Sequence, residues 1–219
     1  MNRVIACGII KRELEHLKEG ASGVQVEYLP QKLHRSPELL NKSLQDAVNR
    51  PRDEEEKLIL GYGLCCNAVV GIQAPSQGLY IPRVHDCITF FLGSRDQYQE
   101  LFTKNPGTYY LTSGWINNKK DPLGLVEHEY TERVGREMAE ETMQTEIRNY
   151  KRISYIHTLG GREKHRERAR KNAEHFQKEF VEHQINEEYF RKILFGPHEE
   201  PDFIYVKPNE KIRQQEFFK

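Results

Sequence analysis

The chemistry available to this chain starts with three cysteines. Cys7 ends the strand-like RVIAC, Cys65 follows LILGYGL, and Cys87 closes IPRVHDC. A thiolate is both a nucleophile and a soft metal ligand, and three together suit zinc or an iron–sulfur cluster. Each cysteine precedes a helical pattern, and a helix N-terminus with Arg83 or protonated His85 nearby favours thiolate over thiol. The spacing is not a repeated CxxC pair, so no zinc-ribbon or zinc-finger signature is present. Any one of the cysteines taken alone reads first as an inert core residue, and only three at equivalent strand ends bring the site reading level with that one. Cys66, beside Cys65, is expected to point into helix packing and stays outside the ligand set. Within HDC, His85 is a candidate ligand, acid–base group or hydrogen-bond partner of whatever binds, and Asp86 either orients it or caps the following helix. Gly61 and Gly63 flank Tyr62, and Gly8 follows Cys7, which allows tight turns and close approach of backbone to a bound group. Asn67 either turns its amide into the same crevice or caps a turn.

Those residues need a scaffold that brings distant strand ends together. Short runs rich in β-branched, aromatic or leucine residues predict strands at Arg3–Cys7, Val24–Leu29, Lys57–Tyr62, Gly78–Pro82, Thr108–Thr112, Arg152–His157 and Asp202–Val206. Helical spacing of apolar residues predicts helices at Ile9–Lys18 and Leu39–Val48, the second opened by Ser36-Pro37, and Ser94 with Gln97 forms a capping box before Gln97–Lys104. Leu125–Tyr150 and Glu163–Phe180 read as longer, polar helices. Strands alternating with helices give an α/β fold, a mainly parallel sheet with helices on both faces in Rossmann-like layers. The chain reads as a single α/β domain over residues 1–219 with a peripheral tail from about residue 207. In such a sheet ligands bind in the crevice beyond the carboxyl ends of the strands, and that is the rim to which Cys7, Cys65 and Cys87 are delivered.

Composition narrows the partners. Among 219 residues, Lys+Arg 33 balance Asp+Glu 33, so the field that draws a protein to nucleic acid or to an anionic membrane is missing. No apolar run approaches the ~20 residues that span a bilayer, and Met1-Asn2-Arg3 leads directly into a strand without a signal-peptide core. The expected location is the cytoplasm, where cysteines stay reduced and serve as ligands, nucleophiles or core residues. No Walker sequence occurs, and GYG is too loose for a dinucleotide fingerprint. The basic run GGREKHRERARK reads as a solvated helix face, and Glu127, His128 and Glu129 are adjacent on a helix and so point to different sides. Trp115 either borders the crevice or covers a core edge.

The stretches ACGIIKRELEHL, VEYLPQKLHRSPELL, LILGYGLCCNAVVGI, IPRVHDCITFFLGSRDQYQELF and PGTYYLTSGWI resemble the domain-of-unknown-function family DUF1638 of bacteria and archaea. The likeness runs over nearly the whole chain and weakens in the charged C-terminal part. The resemblance implies cysteine at the positions of Cys7, Cys65 and Cys87 and histidine–aspartate at His85-Asp86, with Cys66 outside the pattern. It also implies a setting beside corrinoid proteins, methylamine-type methyltransferases and their reductive activators in anaerobes, without fixing an activity.

Three functions follow as expectations. In the first, Cys7, Cys65 and Cys87 hold a [4Fe–4S] cluster with one iron open, or a zinc ion with an open fourth position, for a small-molecule substrate or ligand. In the second, the chain is an accessory protein that docks on a corrinoid protein or methyltransferase. In the third, Cys65 or Cys87 is a metal-free nucleophile with His85 as base.

Overall fold

A computed structural model describes every residue except Arg52, Glu54, Cys66 and Lys219. The chain forms two compact units, Met1–Arg95 with Asn186–Lys219, and Asp96–Ile185, where the sequence alone suggested one domain.

The first unit is built on a five-stranded sheet in the order β2-β1-β3-β4-β8, with β1 at Asn2–Cys7, β2 at Val24–Leu29, β3 at Lys57–Gly61, β4 at Leu79–Pro82 and β8 at Phe203–Val206. The first four strands run parallel and β8 lies antiparallel on β4. Val4 to Cys7 and Leu58 to Gly61 are buried without alternation, so both faces of the sheet centre are covered, as parallel sheets require. Proline at the first turn of Pro37–Val48 starts that helix without a side-chain cap from Ser36. Leu40, Leu44, Ala47 and Val48 form its buried stripe. The helix Glu188–Phe195 buries Tyr189, Phe190, Ile193 and Leu194, and Phe90 and Phe91 meet Phe190 edge-on. The stretch after Lys207, expected to be peripheral, buries Ile212 and Phe217 and pairs Lys211 with Gln73.

The order places β2 and β3 on opposite sides of β1. The chain therefore winds one way from β1 and then the other, and the connections part between β1 and β3. A crevice opens at such a switch point beyond the carboxyl ends of the strands.

The second unit has a parallel three-stranded sheet, β5-β6-β7, with β5 at Thr108–Leu111, β6 at Arg152–Ile156 and β7 at Glu179–His183. Ile153 and Tyr155 of β6 pack on Ala169 and Ala173 of the helix Glu163–His175. A second cluster joins Leu123, Val126, Ala139, Met143, Ile147 and Phe176. Buried Asp121 accepts hydrogen bonds from Arg168 Nε and Asn172 Nδ2, both at 2.8 Å, and holds the first turn of Pro122–Leu125 through Gly124 N. Two expected helices are shorter than the sequence suggested. Gly135, at φ +78°, breaks Leu125–Tyr150 before Arg136–Glu146. Gln177, at φ +54°, ends the chain's helical path after His175 and releases β7 as a strand.

Among the described residues no helix is long and apolar enough to cross a membrane.

Candidate functional site

The site is assembled at the switch point of the first unit. Cys7 is the last residue of β1 and pairs in register with Leu29, the last of β2. The chain then turns at Gly8, where an added Cβ would lie 3.2 Å from the Leu29 carbonyl oxygen and would push the β1 and β2 exits apart by a few tenths of an ångström. After Pro30 a short 3-10 helix, Gln31–Arg35, carries His34 back over the end of β1. His34 Nε2 comes to 3.1 Å from Cys7 Sγ, and its ring lies nearly parallel to that of Tyr62, with centroids 6.1 Å apart. The Ile9 N–H also points at Cys7 Sγ, at 3.5 Å.

Tyr62 leaves β3 at the neighbouring position and is fully buried. Its hydroxyl has no hydrogen-bond partner among the described residues. Beyond it the β3 and β4 exits are fastened together: Leu64 N donates to Val84 O at 2.9 Å and Cys65 N to His85 O at 3.2 Å. Cys65 has φ +41°, a left-handed conformation that costs a β-carbon-bearing residue roughly 1–2 kcal/mol and recurs at functional sites. Its thiol is buried. Cys87 sits at the N-cap of the helix Ile88–Leu92, whose first turn is held by Asp86 Oδ1 accepting from Ile88 N at 2.9 Å.

All three thiols bear electrostatically on Tyr62. Burial raises the Tyr62 phenol far above its ordinary range, and Cys7, Cys65 and Cys87 push it further. Burial also raises the Cys87 thiol well above its usual value, with Cys65, Asp86 and Cys7 adding to it. Burial pushes Cys7 up to about 11 against the opposing Ile9 N–H. Helix N-termini were expected to favour thiolate, but burial outweighs them, and the buried Arg83 guanidinium is paired with Glu200. Burial lowers His34 below its ordinary value, so the imidazole is neutral beside a protonated thiol.

His85 lies differently from the role foreseen for it. Its side chain is 65% exposed, and Nδ1 lies 3.4 Å from Asp86 Oδ2, a carboxylate that raises its pKa. Its link to the site is the backbone carbonyl that receives Cys65 N. Asp86 takes the capping role that was one of its two expected ones. The space at Gly61 and Gly63 is filled by protein. A Cβ on Gly61 would meet Ala6 Cβ at 3.1 Å and Ile193 at 3.6 Å, and one on Gly63 would meet Val84 at 2.9 Å and Asp86 Cα at 3.1 Å. Asn67 is exposed at φ +63° and its carbonyl accepts from Val70 N, the geometry of a turn. Cys66 lies outside the described residues. His34 is the residue that sequence reasoning missed. Its signal was the pairing of the β1 and β2 ends, which puts KLHR within one turn of Cys7.

Among the described residues no three His, Cys, Asp or Glu side chains stand close enough together to hold a metal ion as they are placed. The donor types nonetheless fit a soft ion: three thiols, an adjacent neutral imidazole and a buried hydroxyl with no described partner. Ionising these thiols without a cation would gather buried negative charge around Tyr62, and a bound metal ion would supply the counter-charge.

No curated protein and no solved structure matches the chain. The family model DUF1638, described as a protein of unknown function, matches residues 28–194, a span that takes in His34, Tyr62, Cys65 and Cys87 and begins after Cys7. That span is most of the sequence, and the chain belongs to the DUF1638 family.

Proposed function

We propose that Cys7, Cys65 and Cys87 are the thiolate ligands of a zinc ion or a [4Fe–4S] cluster, with one coordination position left for a group that is not cysteine. The observation that carries this reading is that Cys7, Cys65 and Cys87 lie at or just beyond the carboxyl ends of three neighbouring parallel strands, β1, β3 and β4. Three thiolates with a fourth position available form a centre that binds or activates a ligand, rather than one closed for structure alone. His85 serves the centre through its backbone carbonyl, which holds Cys65, and Asp86 through its carboxylate, which caps the helix that begins after Cys87.

The metal-free cysteine nucleophile is the weaker reading. A working Cys–His pair needs a low thiol pKa and an imidazole able to take the proton. Burial here drives Cys7 up and His34 down, and His85 stands in solvent beside Asp86. The family resemblance supports a cytoplasmic role in anaerobic one-carbon metabolism, where the centre would take a small-molecule ligand beside a corrinoid protein or methyltransferase.

Proton counting tests the ligand assignment. Thiols that enter a metal centre as thiolates must release their protons, so zinc titrated into metal-free protein near pH 7 releases about three protons per ion. Calorimetry in buffers of different ionisation enthalpy measures that number. Release of one proton or fewer would rule out a three-thiolate centre.

A further inference from the structure

The same geometry identifies a fourth donor that the three-cysteine reading leaves out. We propose that His34 completes the centre, binding through Nε2 at the position the three thiolates leave open in the resting protein. The proposal rests on the thiolate-centre reading and adds a residue to it.

Its first support is placement. His34 reaches Cys7 because β2 ends beside β1 in register, Gly8 lets the exits approach, and Gln31–Arg35 coils tightly enough to return the fourth residue of the turn over Cys7. The imidazole is thus delivered from β2, while Cys7, Cys65 and Cys87 come from β1, β3 and β4. Each parallel strand of the first unit then contributes one donor to the same rim.

Distance gives the second support. On a tetrahedral ion with metal–sulfur and metal–nitrogen bonds of about 2.3 and 2.0–2.1 Å, sulfur and nitrogen donors stand about 3.5 Å apart. Cys7 Sγ and His34 Nε2 stand 3.1 Å apart in hydrogen-bond contact. Replacing the shared proton by a metal requires the two atoms to separate by only about 0.4 Å. The ring's stacking on Tyr62 fixes its plane, and the nitrogen facing Cys7 is the one that would bind.

Anchoring gives the third. A permanent metal-bound histidine usually donates its other ring N–H to a carboxylate or carbonyl. Among the described residues nothing bonds His34 Nδ1, and the residue rides on a short, partly exposed turn. His34 thus lacks the outer anchor of a permanent ligand and is the donor that an incoming ligand replaces. This reconciles a four-donor resting centre with a site that takes a substrate.

X-ray absorption of the full chain loaded with zinc, and the visible spectrum of the chain loaded with cobalt(II), test the proposal without any activity assay. The wild type should show three sulfurs and one imidazole nitrogen around zinc. His34→Ala should lose the imidazole scattering, shift the cobalt ligand-field bands, and bind zinc about 10- to 100-fold more weakly. Free imidazole added to His34→Ala should restore the wild-type cobalt spectrum, which separates a lost ligand from a damaged fold. His85→Ala should keep the wild-type signature. Imidazole scattering that persists in His34→Ala, or disappears in His85→Ala, would overturn the assignment while leaving the three-thiolate centre standing. Three sulfurs and no nitrogen in the wild type would do the same, whereas a wild type that binds neither ion and takes up no iron–sulfur cluster on anaerobic reconstitution would remove both readings together.

Discussion

Gly63→Ala probes the mechanical link between two of the proposed ligands. Gly63 lies where the β3 exit crosses the β4 exit, two residues before Cys65. A Cβ there would sit 2.9 Å from Val84 Cγ2, 2.9 Å from the Val84 carbonyl oxygen and 3.1 Å from Asp86 Cα. Ordinary contacts begin near 3.5 Å, so the two exits must part by about half an ångström. Two of the three obstructing atoms are backbone, and a rotamer change cannot relieve them. Overpacking of this kind costs about 1–3 kcal/mol, which lowers the unfolding midpoint by several degrees at about 2–4 °C per kcal/mol for a chain of this length. The strain falls on Leu64 N to Val84 O and Cys65 N to His85 O, the bonds that fasten Cys65 to the β4 exit two residues before Cys87. A metal site tolerates misplacement of about 0.5 Å, so zinc affinity should fall about 10- to 100-fold along with stability. Gly20→Ala is the control. Gly20 has a positive φ, +75°, which Gly63 does not, but nothing lies within 4 Å of its Cβ position, and it precedes β2 at the end of the sheet away from Cys7. It should lose about 1–2 kcal/mol of stability and leave zinc affinity unchanged. The assays are urea unfolding and competition of zinc against a chromophoric chelator. A Gly63→Ala protein with wild-type stability and affinity would refute the claim that this crossing sets the spacing of Cys65 and Cys87.

Two further substitutions test the surroundings of the centre. Tyr62→Phe removes a buried hydroxyl without a described partner, so the metal-free protein should be unchanged or gain up to about 1–2 kcal/mol, and a loss above about 1 kcal/mol in urea unfolding would mean that the hydroxyl is bonded after all. Glu13, buried on the helix after Cys7 with Oε2 unpartnered among the described residues, is raised by burial from 4.5 to about 7. Below pH 4.5 both folded and unfolded chains hold its proton. From there to about pH 7 the unfolded chain releases it first, so stability falls as pH rises, by about 3 kcal/mol in total. Glu13→Gln should abolish that fall and be the more stable protein above pH 7, and identical pH profiles of urea unfolding in the two proteins would contradict the assignment.

Much of this architecture is written locally in the chain. The β-branched run in RVIAC, the Pro37 start of the second long helix and the punctuation by glycine at strand exits each act within a few residues, and each appears where local chemistry demands. Placing Cys7, Cys65 and Cys87 at strand ends needed only those local signals plus the rule that parallel sheets gather function at one rim. The β7 strand was harder to see, because EFVEH is half polar, sits in a small sheet with partial burial, and follows a charged helix whose end depends on the left-handed Gln177. Gly135 broke the preceding helical stretch for a similar reason, since no proline or cap marks the site. His34 was out of reach for a different cause. Its partner is 27 residues away, and only the β1–β2 register makes them neighbours. His85 drew attention by lying beside Cys87, yet on a segment leaving a strand its ring turned to solvent and its carbonyl turned inward.

Metal and acid-labile sulfide analysis, with an absorption spectrum, of the full chain purified without oxygen decides whether Cys7, Cys65 and Cys87 hold a centre. The same measurement on Cys7→Ser, Cys65→Ser, Cys87→Ser and Cys66→Ser completes it. A three-thiolate site requires one centre per chain in the wild type, read either as one zinc ion with a featureless visible spectrum or as iron and sulfide in equal amounts with broad cluster absorption. Cys66→Ser should retain it and each of the other three should lose it. A wild type that neither carries nor takes up zinc or iron, or full occupancy in Cys7→Ser, Cys65→Ser and Cys87→Ser alike, would contradict it.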